Sequence, residues 1–374
     1  MERRSMLIMA LFSAIVLSRT MAQPPVAVPD GFAGYAGTTG GGNAEPTHVN
    51  SASEFKSAVG GDNPKLIVVH GNLAVSGVSI GSNTTIIGAD ESAELAGGGF
   101  RVNGTNYIFQ NLTIGPGGTD IMEVMGGTKV FITRCTFHDA GDELLSMRSQ
   151  ADYITISWCK FYFDKTHSHA FAHLIGAGDG DTNNRGKLHV TMHHNWYDKG
   201  VRGRVPRVRF GQVHIYNNYW NIESNGYCIG AGVECHIRLE NSHFENVNAA
   251  WADYGGSKNG EIGWSNIIFE ETDEPKFMPN VYPTFELPYS YSLDSVDQVK
   301  SNVTKGAGNV IAPISTSVFK QRSAITFPMA ASCISYDRSS GLLDIVFKTS
   351  HKGNFISIYR IDGRKIRSLY TETQ

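Results

Sequence analysis

The 374-residue chain has few charged residues, few cysteines and, beyond its N-terminus, no long hydrophobic run. Charged residues make up 18% of the sequence and give a formal net charge of −3, which argues against a general binder of nucleic acids or membrane surfaces. Five cysteines are too few for a disulfide-stabilised fold of this length, and their odd number leaves at least one thiol unpaired. No segment after residue 22 approaches the length needed to span a membrane.

Glycine, in contrast, is abundant at 41 residues, which favours many turns between short strands over long surface helices. At the N-terminus, Arg3 and Arg4 precede an apolar run over residues 6–17 and a small-residue site before Gln23. This order predicts a secretory signal peptide over residues 1–22, and therefore a secreted, extracellular or cell-surface protein.

A repeat runs through the middle of the chain. Short β-rich segments end at intervals of 24, 24, 36, 23, 23 and 25 residues, at Asn111, Cys135, Cys159, Asn195, Asn218, Asn241 and Asn266. A period this short cannot hold a strand, a helix and a second strand, so each repeat is predicted to be one coil of an all-β solenoid with parallel strands. Equivalent positions should then form ladders, including an aromatic stack of Phe137, Phe161, Tyr197 and Trp220.

The ends of the chain lack this period. Residues 53–59 are predicted to form a capping helix with Ser53 as its N-cap, followed by a first strand over residues 66–69. We expect the solenoid domain to cover residues 24–313, with a linker over 314–324 and a small β tail over 325–374, where residues 344–347 and 355–359 alternate in hydropathy. The single long interval places about a dozen extra residues after Cys159, in a binding loop over residues 165–181.

Four arginines, Arg202, Arg204, Arg207 and Arg209, stand within eight residues of a chain that carries little net charge. Guanidinium groups bind carboxylates in a two-pronged geometry, so this patch predicts an acidic ligand. The alternative is an ordinary solvated strand edge.

Acidic residues recur one coil apart. Asp120 and Glu123 lie in one coil, and Asp142 and Glu143 lie in the next. Side chains one coil apart can approach each other on one face, which would assemble hard oxygen ligands for Ca²⁺ from Asp120, Asp142 and Glu143. Solvated turn acids are the alternative. Arg204 lies two coils further on, at about 10 Å, from where its side chain can reach the same groove.

An ordered set of motifs resembles the pectate lyase and pectin lyase family (polysaccharide lyase family 1) over about residues 28–313. The motifs are DELL at 142–145, YITISW at 153–158, LIG at 174–176, HHN at 193–195, RVPRVR at 204–209 and VHIYNN at 213–218. The resemblance implies a right-handed, single-stranded parallel β-helix that cleaves (1→4)-α-D-galacturonan by β-elimination and leaves a 4,5-unsaturated non-reducing end.

The same resemblance implies residue roles. Arg204 would be the base that removes the C5 proton, Arg209 and Arg207 would hold substrate carboxylates, and the acids named above would bind Ca²⁺. Removing a proton α to a carboxylate builds an enolate-like dianion, which nearby cations stabilise. Galacturonan is the expected partner, and the protein is expected to be a monomer without nucleic-acid or membrane partners.

Two positions depart from the family pattern. An aspartate usual four residues after the position of Asp142 is Ser146, and a substrate-binding lysine is replaced by Phe171. His173 or Lys165 is expected to bind the substrate in its place, with His169 a further candidate. These departures leave two alternatives open, a pectin lyase that acts on methyl-esterified pectin without calcium and an inactive β-helix that only binds galacturonan.

The remaining features give further expectations. Cys135 with Cys159, and Cys228 with Cys235, are spaced so that each pair could form a disulfide. His167, His169 and His173 could form a transition-metal cluster, although their spacing matches no helix face. The C-terminal segment 356–366 is similar to a shortened sorting tail of type IX secretion. A polygalacturonase-type hydrolase would share the β-helix but would need paired carboxylates and no arginine base.

Overall fold

The computed structural model describes residues 24–255, 260–275 and 279–310, together with four strands between residues 331 and 371. The chain divides into two compact units, Met1–Ile314 and Ser315–Gln374. The predicted signal peptide, the predicted linker and Cys333 lie outside the described residues or side chains.

Twenty-five strands build the described part of the first unit. The first seven are β1 (Pro46–Val49), β2 (Lys65–Val69), β3 (Asn72–Ala74), β4 (Ser79–Ile80), β5 (Thr84–Gly88), β6 (Glu94–Gly97) and β7 (Phe100–Val102). The next six are β8 (Thr105–Gln110), β9 (Thr113–Gly117), β10 (Met122–Met125), β11 (Thr128–Thr133), β12 (Thr136–His138) and β13 (Leu145–Arg148). They are followed by β14 (Asp152–Ser157), β15 (Lys160–Tyr162), β16 (Leu174–Ile175), β17 (His189–His193), β18 (Trp196–Tyr197) and β19 (Arg207–Val208). The last six are β20 (Gln212–Tyr216), β21 (Tyr219–Asn221), β22 (Ile229–Ala231), β23 (His236–Glu245), β24 (Trp251–Asp253) and β25 (Glu261–Glu270).

These strands form three parallel faces, because each coil contributes one strand to each face in turn. The first face contains β1, β2, β5, β8, β11, β14, β17, β20, β23 and β25. The second contains β3, β6, β9, β12, β15, β18 and β21 and continues into the second halves of β23 and β25. The third contains β4, β7, β10, β13, β16, β19, β22 and β24. The predicted all-β parallel β-helix is confirmed, with about ten turns.

The predicted aromatic stack runs through the interior. Successive ring centroids of Phe137, Phe161, Tyr197 and Trp220 are 5.2, 5.2 and 5.4 Å apart, and Phe244 continues the stack at 4.3 Å. All five side chains are buried, so each coil packs its ring on the ring of the coil before. This stack fixes the register of the coils and hence the placement of the residues outside them.

The asparagine ladder turns the chain between the first and second faces. The Asn195 backbone N–H donates to Oδ1 of Asn218 at 2.7 Å, and the Cys159 backbone N–H donates to Oδ1 of Asn195 at 3.0 Å. In four coils the residue with a left-handed backbone is the one before the ladder position, namely Arg134, Trp158, His194 and Asn217. The ladder amides therefore join adjacent coils by hydrogen bonds to the backbone.

Helices cover the solenoid at a few places. They are α1 (Gly31–Tyr35), α2 (Ala52–Ala58) and α3 (Val296–Gly306), with a 3₁₀ turn at Thr182–Asn184. The predicted capping helix is α2, but its N-cap is Ser51, whose Oγ accepts the Glu54 N–H at 3.3 Å, and not Ser53. Its buried Phe55 packs on Phe100 and covers the end of the core. Strand β1, which the sequence prediction missed, precedes it.

Two segments lie across the outer surface of the first face. In the N-terminal segment, the Phe32 and Ala33 backbone N–H groups donate to Thr191 and Thr155, and Asp30 lies 3.1 Å from His193 Nε2. In the C-terminal segment, the Tyr289 hydroxyl lies 2.7 Å from Thr191 Oγ1, and Asp294 lies 3.2 Å from His194 Nε2. Both ends of the solenoid domain are thus fastened to its middle coils.

The predicted disulfides are wrong, because Cys135, Cys159, Cys228 and Cys235 are free and buried. Cys135 and Cys159 each direct Sγ to a carbonyl of their own strand end, at 3.3 Å, and they pack as small apolar groups. Burial raises the pKa of the Cys235 thiol to about 12. None of the described helices is long and apolar enough to cross a membrane.

The second unit contains two antiparallel strand pairs. Strands β26 (Ala331–Asp337) and β27 (Leu342–Phe347) form one pair, and β28 (Asn354–Tyr359) and β29 (Lys365–Thr371) form the other. The two predicted alternating runs, residues 344–347 and 355–359, lie within β27 and β28.

Candidate active site

Two long loops border the third face where the coil interval is longest. The first, between β15 and β16, covers residues 163–173, and the second, between β16 and β17, covers residues 176–188. The sequence predicted one excursion over residues 165–181, but the structure divides the extra residues between the two corners of the face. Strand β16 therefore lies on the third face between two long loops, and the outer surface of this face is called the groove below.

Three acids converge at one edge of this groove. Carboxylate oxygens of Asp120, Asp142 and Glu143 all lie within 4.8 Å of one another. The Glu143 backbone N–H and the Ser146 hydroxyl both donate to Asp120, at 3.3 and 2.8 Å, which fixes that carboxylate between two coils. The structure thus brings together the three predicted metal ligands.

The acid cluster has the ligand types of a cation site. The pKa of Glu143 is raised to about 8, chiefly by burial and also by the nearby Asp120 and Asp142, while the Arg204 guanidinium opposes the rise. Three hard carboxylate donors on a partly open edge match the oxygen ligands that Ca²⁺ prefers. Ser146 supplies only a hydroxyl, and its hydrogen is used on Asp120.

Arg204 lies beside the same cluster. Its Nη1 forms an ion pair with Glu143 Oε1, and its Cζ lies 4.2 Å from the centre of the Phe171 ring. Parallel bridges put Glu143, Phe171 and Gly203 in register on consecutive coils, which is why a residue 61 positions away in sequence reaches Glu143. The guanidinium is therefore held between a carboxylate and an aromatic face.

The other two arginines predicted to bind substrate, Arg207 and Arg209, follow Arg204 in the same coil of the third face. Arg209 is nearly buried, and it donates to Asp179 at 2.5 Å and to the Gly176 carbonyl at 3.0 Å. Arg207 stacks on Tyr254, with Cζ 4.3 Å from the ring centre. Tyr254 is 39% exposed, so this pair presents a ring and a cation to solvent.

The prediction that His173 binds substrate is wrong. Its side chain is 0% exposed and lies edge-on to the rings of Phe161 and Tyr197 inside the core, with Nδ1 3.2 Å from the Leu145 carbonyl. Burial lowers the pKa of His173 to about 3, so the ring is neutral.

The other loop candidates remain accessible. Lys165 is exposed and lines a cavity of about 370 Å³ with Asp139, Asp164 and His167. The ring of His169 lies 3.4 Å from Asp142. His167 instead contacts the Ala140 carbonyl, so the three loop histidines point to three different places and form no metal cluster.

The sequence prediction missed a charged network on the third face, in the coils of the acid cluster and the coil before them. Glu123 pairs with Arg148 and, at 3.1 Å, with Arg101. Strand register puts Arg101 beside Glu123, and Met125 beside Arg148, on the third face. Counting one coil back from Glu123 would have found Arg101, because the interval between them is one repeat.

Comparison with known proteins gives one consistent family. The family model described as "Pectate lyase" matches residues 4–310. The chain is 33% identical over 303 residues to a pectate trisaccharide-lyase from Bacillus licheniformis, covering 74% of this chain and 85% of that protein. It is 33% identical over 303 residues to pectate lyase A from Emericella nidulans, covering 76% and 88%.

Solved structures agree on the fold. A structure described as a pectate lyase bound to a hexasaccharide has a TM-score of 0.66 at 22% identity, and covers 77% of this chain and 98% of that one. A Bacillus pectate lyase in complex with trigalacturonate has a TM-score of 0.63 at 26% identity, and covers 75% and 98%.

Proposed function

Because the chain belongs to the pectate lyase family and is a polysaccharide lyase, we propose that its groove carries out the eliminative cleavage of (1→4)-α-D-galacturonan, with Arg204 as the base. The observation that supports this assignment is the placement of Arg204 against the acid cluster on one face of the helix. A base and a carboxylate-binding cation can then act on the same sugar.

The proposed elimination needs no co-reactant. Arg204, in its neutral form, takes the proton from C5 of a galacturonate residue. The electron pair forms a C4–C5 double bond, the C4–O bond breaks, and the departing sugar oxygen takes up a proton. The intermediate charge spreads over the C6 carboxyl group, where positive groups stabilise it.

Asp120, Asp142 and Glu143 are proposed to hold a Ca²⁺ ion, since their donor set suits it. When bound, the ion would neutralise substrate carboxylate charge beside Arg204. Arg207, Arg209 and Lys165 are proposed to contact further uronate groups, Lys165 from an exposed position, Arg207 from a half-buried one and Arg209 through its remaining N–H donors.

We also propose that the protein is secreted as a monomer after removal of residues 1–22, and that residues 325–374 act as a type IX sorting tail behind a linker at 314–324. The N-terminal order of charge, apolar run and small residues supports the first point. Mass spectrometry of the exported protein tests it, because a mature N-terminus other than Gln23 would move the cleavage site.

The experiment that tests the lyase assignment follows the ultraviolet absorbance of unsaturated uronides on polygalacturonate and on methyl-esterified pectin, with and without a chelator. A rise that the chelator abolishes supports both the elimination and the metal. A rise that the chelator leaves unchanged refutes the calcium proposal, and favours the pectin lyase alternative if it is faster on pectin. No rise on either polymer refutes the lyase function and leaves a galacturonan-binding β-helix.

A further inference from the structure

The charged network of Arg101, Glu123 and Arg148 lies on the third face, but the substrate site described so far does not include it. We propose that Arg101 and Arg148 form a further uronate-binding subsite, which holds a sugar carboxylate on the side of the acid cluster away from Arg204. This inference rests on the proposed cleavage of galacturonan, and it extends the binding site of that function along the groove.

Strand register places the network on the outer surface of the third face. Arg101 pairs with Glu123, and Glu123 pairs with Ser146, so their side chains leave the same side of three successive coils. The neighbours of Arg101 in β7, Phe100 and Val102, are buried in the core, while Arg101 itself is exposed. The guanidinium of Arg101 therefore points into the groove.

Glu123 holds both guanidinium groups in place. Its Oε2 lies 3.1 Å from Arg101 Nε, and its Oε1 forms an ion pair with Arg148 Nη2. The Glu123 side chain is nearly buried, whereas the Arg101 side chain is 62% exposed and that of Arg148 is 30% exposed. Among the residues that the structure describes, only Glu123 contacts the Arg101 guanidinium, and it does so through Nε. Both terminal nitrogens of Arg101 are thus left to bind a carboxylate in the two-pronged geometry.

The charges of the network suit an acidic sugar. Two guanidinium groups against one carboxylate leave one positive charge in excess. On the preceding coil Arg101 is in register with Ser79, so no second carboxylate lies beside it on that strand. Unesterified galacturonan carries a carboxylate on every sugar and gains binding energy from each cation along its path.

The network lies at a distance from Arg204 that a short oligomer does not span. The strands of the third face follow one another in the order β7, β10, β13, β16 and β19, which puts Arg101 four coil spacings, roughly 19 Å, from the coil of Arg204. The acid cluster lies between them, in the coils of β10 and β13. A 1,4-linked pyranose unit advances by roughly one coil spacing, about 5 Å. A trimer seated on the acid cluster and Arg204 therefore ends before Arg101, whereas an octamer reaches it.

A purely structural role for the network makes a different prediction. If the ion pairs served only to join the coils of β7, β10 and β13, removal of Arg101 would lower the melting temperature slightly. The affinity for oligomers of every length would then stay the same or fall in the same proportion.

The test measures Kd by titration calorimetry for trigalacturonate and octagalacturonate with Ca²⁺ present, in the full chain carrying Arg204→Lys so that neither oligomer is consumed. Adding Arg101→Gln should weaken octamer binding by about tenfold, the lower end for a charge-assisted hydrogen bond because the side chain is exposed, and leave trimer binding within about twofold. Arg101→Lys keeps the charge without the planar fork and should recover part of the octamer affinity. As the control, Lys305→Gln removes the same charge from an exposed position of α3, which packs on the second face, and should leave both Kd values within about twofold.

The outcomes separate this inference from the function beneath it. An octamer affinity that Arg101→Gln leaves within twofold would overturn the subsite, and so would an equal loss for trimer and octamer. In either case, unsaturated product released by the parent chain would leave the lyase function standing. A parent chain that neither binds the octamer nor releases unsaturated product would overturn the subsite together with the proposed function.

Discussion

Replacing Arg204 by lysine should separate chemistry from substrate binding. Lysine keeps the positive charge beside Glu143, but its side chain is about 1 Å shorter and lacks the planar fork that touches both Glu143 and the Phe171 ring. A misplacement of about 1 Å costs on the order of a hundredfold in rate, and a lost general base costs about 10²–10⁴-fold. We expect kcat to fall by at least about a thousandfold, which corresponds to about 4 kcal/mol of barrier.

Binding should change little, because Arg207, Arg209 and the acid cluster are untouched. Calorimetric titration with oligogalacturonates too short to be cleaved should give a Kd within about threefold of the parent value. The matched control is Arg202→Lys, since Arg202 is exposed and stands two residues before Arg204 in the same loop. A kcat for Arg204→Lys within tenfold of the parent enzyme would refute Arg204 as the base.

Three further changes probe the metal site, the core and the pH response. Ser146→Asp should tighten Ca²⁺ binding by about tenfold, because it adds a carboxylate beside Asp120, and titration calorimetry measures this affinity. Without Ca²⁺ the two carboxylates repel each other, so the variant should melt at a lower temperature than the parent protein, as thermal melting with and without Ca²⁺ would show. Phe161→Ala should lower the free energy of unfolding by about 3–5 kcal/mol, measured by denaturant titration, since the ring is buried between two stacked neighbours. His173→Phe should reduce the loss of stability at acid pH. The folded-state pKa of His173, about 3, lies below the usual 6.5, so the free energy of unfolding of the parent protein falls as the pH drops from about 6.5 toward 3. Near pH 4 this loss is on the order of 3 kcal/mol, and the variant should not show it.

A definite result would contradict each of these three predictions. Unchanged calcium affinity in the Ser146 variant would place the ion elsewhere. A loss below about 1 kcal/mol for Phe161→Ala would mean that the stack collapses to fill the gap. For His173, parallel stability profiles of parent and variant between pH 4 and 7 would show that the buried ring is not what titrates on unfolding.

The fold was predictable because one period repeats. The intervals between Asn111, Cys135 and Cys159 are identical, so the parallel stacking and the aromatic interior followed from spacing alone. The long coil was not predictable in the same way. Its extra residues interrupt the regular interval, and nothing in the sequence indicates that they are divided between two loops.

His173 shows why the positions of single residues near the long loop could not be predicted from the sequence. In the structure the pairing of β13 with β16 puts His173 beside Leu145, which is an inward position. Aligning Leu144-Leu145 with Ala172-His173 would have revealed this, but only if the loop length before them were known. Arg204 and the acids were easier, because the repeat alone brings their coils to the same face.

The fastening of both chain ends to the middle coils has a consequence for how the molecule comes apart. A simple solenoid can lose its outermost turns one after another, since each turn touches only its neighbours. Here Asp30 and Asp294 contact adjacent histidines of one strand end, His193 and His194, so the termini and the centre hold each other in place. Stepwise peeling from either tip is thereby opposed, and the groove should keep its shape up to the temperature at which the whole domain melts together.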